Sequence, residues 1–102
     1  VEHPVRIVTD HGSIAGRLHN ISLTGVAFYA PRNATLVVEE RVRVVAETPK
    51  GPLDCTCEVV RISPMGDGMN DVAARIVYKR PRYEEPLHAL MEEETRATSG
   101  QS

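Results

Sequence analysis

Three groupings of side chains in this sequence have types and spacings that could do chemistry. The first is Asn20-Ile21-Ser22-Leu23-Thr24-Gly25. Asn offers an amide acceptor with two donors, and Ser a hydroxyl that does both. On an extended strand Asn20 and Ser22 project to the same side, because strand side chains repeat every two residues. Gly25 can take backbone angles closed to other residues, so the chain can turn there and a ligand can come close. The result is a small, uncharged hydrogen-bonding platform. A turn of the Asx type between two strands would use the same residues and need no ligand.

The second grouping is Cys55-Thr56-Cys57. A disulfide across this spacing is geometrically awkward, and two cysteines do not make a secreted framework. Zinc would need two further ligands, for which His3, His11 and His19 are candidates. Buried, reduced strand cysteines acting as small hydrophobes are the simpler expectation, and with them a cytoplasmic setting. Third, Asp67 and Asp71 flank a glycine-containing loop, but Gly66-Asp67-Gly68 lacks calcium-loop spacing. A Ser22–His19 nucleophile pair has no third group to orient it, and strand alternation sets the two on opposite faces. Asn20-Ile21-Ser22 and Asn33-Ala34-Thr35 match glycosylation acceptors, without any sign of secretion. No enzyme activity is expected.

Composition narrows the partners. The 102 residues suit one domain, and 41% hydrophobic content suffices for one core. With no Trp and one Phe, that core must be aliphatic. A formal charge of −2, from 12 basic and 14 acidic side chains, argues against a DNA or RNA binder. No apolar run is long enough for a membrane helix, so no membrane insertion is expected.

The elements that must position these groups follow from periodicity. Val5, Ile7 and the Thr9 methyl alternate with Arg6 and Val8, Asp10 to Ser13 is turn chemistry, and Ile14 to His19 completes a hairpin. Gly16 reads as the mark of a bulge. Val26 to Ala30 forms an apolar strand, and Leu36 to Ala46 the next, with Val42, Val44 and Ala46 on one face. Beyond the Pro49-Lys50-Gly51-Pro52 turn, Leu53, Cys55, Cys57 and Val59 share a face. A last strand over Asp71 to Tyr78 directs Val72, Ala74 and Ile76 inward. About six such strands indicate an all-β barrel or sandwich. From Glu84 the period changes to Leu87, Leu90, Met91, which predicts an amphipathic helix over 84–95 that closes the barrel.

This order of elements, with Asn20-x-Ser22-x-x-Gly25 between two strands, resembles the PilZ domain, whose members carry an Asp/Asn-x-Ser-x-x-Gly motif. The resemblance spans about residues 3–95. It implies a six-stranded antiparallel β-barrel with one C-terminal α-helix over residues 1–96, followed by a disordered tail at 97–102. It further implies a bacterial, non-enzymatic regulatory domain whose ligand is cyclic di-GMP, with no other cofactor and no metal. Carried over by position, Asn20 and Ser22 would hydrogen-bond a guanine, and Gly25 would permit the turn beside it.

Ligand-binding members also carry an Arg-x-x-x-Arg motif before the first strand, where guanidinium groups clamp phosphates. Here Val1-Glu2-His3-Pro4-Val5 occupies that approach and no Arg lies four residues from Arg6. This segment alone is therefore expected to bind the dinucleotide weakly or not at all. Degenerate members act through protein contacts, so a protein partner or adjacent domain is expected, in motility or pilus control. Arg17, Arg61 and Arg75 are read as solvated outer-face residues, and Arg80-Pro81-Arg82 as a surface linker.

Overall fold

Alternation of apolar and polar residues resolves into six strands in the computed structural model, which describes residues 3–79 and 85–90. They are β1 (His3–Thr9), β2 (Gly12–Ile21), β3 (Gly25–Pro31), β4 (Arg41–Thr48), β5 (Gly51–Pro64) and β6 (Met69–Lys79). All neighbours pair antiparallel in the order β1-β2-β3-β6-β5-β4, and β1 pairs with β4 to close a barrel. The six-stranded antiparallel barrel expected from the resemblance is the observed fold.

Two hairpins use one device. In the β1–β2 turn, Thr9 Oγ1 donates to the Gly12 carbonyl at 3.1 Å and accepts from the His11 amide at 3.1 Å. Between β4 and β5, Thr48 Oγ1 donates to the Gly51 carbonyl at 2.6 Å and accepts from the Lys50 amide at 3.1 Å. In each case the glycine has positive φ, +131° at Gly12 and +104° at Gly51, where a Cβ would be strained.

The interior is aliphatic around the single phenylalanine, Phe28, which is fully buried. Val42, Val44 and Ala46 of β4 face inward, as do Leu53, Cys55, Cys57 and Val59 of β5. Each fully buried Val or Leu among them contributes about 1.5–3 kcal/mol. A helix, α1 (85–90), adds Leu87 and Leu90 to the same core. Pro86 is accommodated because the first helical turn has no amide partner to lose. The remainder of the expected helix over 84–95, the tail at 97–102 and Arg80-Pro81-Arg82 lie outside the described residues. Among the described residues no helix is long and apolar enough to cross a membrane.

Among the described residues three bulges depart from strict alternation. His19 is the extra residue of β2 opposite β3. Val60 of β5 and Val77 of β6 are extra residues in the β5–β6 ladder. The bulge expected at Gly16 is not there. Gly16 pairs regularly with Val5, and a Cβ on it would sit 2.7 Å from both Ile7 Cδ1 and the Tyr29 carbonyl. Its bareness serves packing.

The fourth strand also begins later than expected, at Arg41 instead of Leu36. Residues 37–40 form a turn, in which the Glu40 amide donates to the Val37 carbonyl at 3.2 Å and Glu40 Oε1 accepts from the Val37 amide at 3.1 Å. Glu39 in this turn has φ +78°, in the left-handed region.

Candidate functional site

The motif sits where β2 ends and β3 begins. Asn20 is the penultimate residue of β2, paired with Ala27 and exposed on the outer surface. Ser22 lies beyond the strand, in the turn itself. Its Oγ accepts from the Thr24 and Gly25 amides, both at 3.2 Å, while its own amide donates to the Gly25 carbonyl at 2.9 Å. The hydroxyl expected to face a ligand is therefore engaged in holding the turn. Serine is the local organiser, where the sequence suggested an Asx-type turn.

Gly25 opens β3 opposite Arg75. Its φ does not fall in the left-handed region, contrary to the turn role read from sequence. A Cβ at Gly25 would instead approach the Ala74 carbonyl to 3.2 Å, tighter than ordinary packing. The Ile76 amide donates to the Thr24 carbonyl at 2.9 Å, which anchors the turn to β6.

Beside Asn20 lies a group that sequence spacing did not bring together. The bulge at His19 turns this imidazole onto the outer face, where it stacks on Tyr29 with centroids 4.3 Å apart and planes 21° from parallel. His19 Nε2 is 2.8 Å from Asp71 Oδ1, so the contact spans from β2 across β3 to β6. An ionised carboxylate only accepts, which makes Nε2–H the donor. The pairing answers the Ser22–His19 couple weighed from sequence, since each side chain has other partners. In sequence the sole signal was an outward polar residue on each strand.

Of the outer-face arginines, Arg75 donates to Glu58 Oε1 at 2.8 Å. Arg17 lines a hollow of about 360 Å³ together with Tyr29, Met65, Asp67 and Met69. Arg61 is exposed. Asp54, next to the inward-facing Leu53 and Cys55 on β5, is itself buried, and Arg43 donates to it twice, at 2.6 Å and 3.3 Å. This carboxylate raises the Arg43 guanidinium above its ordinary value, first by hydrogen bonding and then by charge.

Cys55 and Cys57 are free and buried, with sulfurs 3.6 Å apart. The hydrogen bond to Cys55 and the burial both push the Cys57 thiol upward. Asp67 Oδ1 accepts from the Met69 amide at 3.2 Å, a local loop contact. Among the described residues no three His, Cys, Asp or Glu side chains converge as a metal site.

The chain matches the family model of the PilZ domain over residues 1–93. It belongs to the PilZ domain family. PilZ domains are generally non-enzymatic binding modules. Its barrel is similar to that in the structure of the Bacillus subtilis inhibitor of motility MotI/DgrA, with a TM-score of 0.73 at 14% identity. The alignment covers 93% of this chain and 48% of that one, so this PilZ domain spans about half of its structural neighbour. No curated protein matches the sequence.

Proposed function

We propose that this PilZ domain is a regulatory module of bacterial cyclic di-GMP signalling, acting in the cytoplasm, and that the domain alone binds the dinucleotide weakly or not at all. The observation that carries the reading is the state of the motif. Asn20 stands exposed at the end of β2, while the Ser22 hydroxyl is spent on the turn. That leaves a neutral contact for a guanine edge and no guanidinium pair at Arg-x-x-x-Arg spacing to meet two phosphates. Arg75, the nearest strand arginine by register to Gly25, already serves Glu58.

Titration calorimetry with cyclic di-GMP tests this directly. Binding weaker than about 10 μM, or none, is expected from a site without charge partners. Sub-micromolar affinity would overturn it.

A second reading is favoured by the commitment of Ser22 to the turn: a ligand-independent adaptor that contacts a protein partner in motility or pilus control. The name of the structural neighbour, an inhibitor of motility, points the same way. Under this reading Asn20→Ala leaves the cellular output unchanged. Under the first, it weakens the response to the dinucleotide.

A further inference from the structure

At the far end of β2 from the motif, the β1–β2 turn and the β3–β4 connection enclose a shallow hollow of about 610 Å³. The ten residues of β2 separate the two ends by about 30 Å. The hollow is lined by Asp10, His11, Thr35, Val37, Val38, Glu39 and Glu40, with no Lys or Arg in its wall.

Two features set this place apart. Val37 and Val38 are 61% and 52% exposed, adjacent apolar side chains held outward by the 37–40 turn. The turn is pinned to β5, the Glu39 amide donating to the Val59 carbonyl at 2.7 Å and the Val59 amide to the Glu40 carbonyl at 2.9 Å. Glu39 is also the one non-glycine with positive φ among the described residues. Glycine would hold that backbone more cheaply but would present no carboxylate. None of Asp10, Glu39 and Glu40 is in an ion pair among the described residues.

We propose that this hollow is a docking surface for a protein segment in which basic side chains flank an aliphatic one. The aliphatic group covers Val37 and Val38, and the basic groups meet Asp10, Glu39 and Glu40. Charge complementarity selects this occupant over an acidic or a purely apolar one. The inference rests on the reading of the domain as an interaction module and gives that module a contact face. It is independent of dinucleotide binding, which is read at Asn20.

The test is an NMR titration of the domain with a blocked pentapeptide alternating arginine or lysine with valine. Amide shifts confined to Asp10, His11 and residues 35–40 are expected. Serine in place of the peptide valines weakens binding about tenfold. Glu39→Gly weakens it by about 2–5-fold, the size of one exposed ion pair, while melting no lower than the parent. Absence of shifts, shifts elsewhere on the barrel, or equal binding by an acidic peptide would overturn the proposal. Concentration-dependent shifts at this face before peptide is added would assign it to a second copy of the chain, and would overturn it too. Cyclic di-GMP added to the same sample reports on Asn20 and its turn, so the two readings fail separately.

Discussion

His19 and Asp71, 52 positions apart in the chain, meet at 2.8 Å across the face of β3, with the histidine ring laid on Tyr29. Three strands are thereby tied on the outside of the barrel, next to the family motif. Both side chains are only about a quarter exposed, 25% and 28%, so the contact is partly shielded from water. His19→Ala is expected to destabilise the domain by about 1–2 kcal/mol, from the lost stack and hydrogen bond. Urea unfolding checks the value, and no change in midpoint would show the cluster to be energetically idle.

Asn20 and Ser22 separate under substitution. Asn20→Ala changes stability by less than about 0.5 kcal/mol, as expected of an exposed site. Ser22→Ala costs about 1 kcal/mol, because two amides in the turn lose their acceptor. Both variants keep the barrel fold, which far-UV circular dichroism would report. An equal effect of the two would contradict the division of roles.

Gly16→Ala is the most damaging single-carbon change expected. The added Cβ would stand 2.7 Å from the Tyr29 carbonyl, a backbone atom that cannot swing aside. Overpacking of this kind costs about 1–3 kcal/mol or more. Gly25→Ala, at 3.2 Å from the Ala74 carbonyl, is milder. Thermal melts of the two should rank in that order.

The paired thiols give a pH dependence. Cys57 is held protonated by its hydrogen bond to Cys55 and by burial. The unfolded chain releases this proton above the ordinary thiol value of about 8.5, while the folded barrel retains it. Stability is thus fully present below that value and declines as pH rises above it. Folded protein should also resist a thiol-disulfide reagent, with labelling as slow as global unfolding. Labelling within seconds at pH 8 would sink this.

Much of the barrel could be read from alternation. Val42, Val44 and Ala46, like Leu53 to Val59, keep period two and face the core as expected. The reading failed where the period breaks. A bulge at His19 puts Leu18 and Ile21, three apart, both inside, and period two then misassigns what lies between. The strand also runs two residues past His19, to Ile21, so that Ser22 is the first residue beyond it. Glu39 has no composition signal for positive φ, so the turn that delays β4 to Arg41 is invisible in the run from Leu36. The contact of His19 with Asp71 depends on pairings of β3 with both neighbours, which no local pattern encodes.

Closure of β1 onto β4, through Arg6–Val8 and Arg43–Val45, leaves no strand of the sheet without a neighbour on each side. Backbone amides and carbonyls inside the ladders are therefore unavailable for strand addition, a common route by which β-proteins recruit extended peptides or aggregate. Open backbone is confined to strand ends beyond the ladders. A partner of this domain then reads mainly side chains and connecting turns. Surface substitutions can then change partners without touching the hydrogen-bond ladder, so recognition and folding can vary independently.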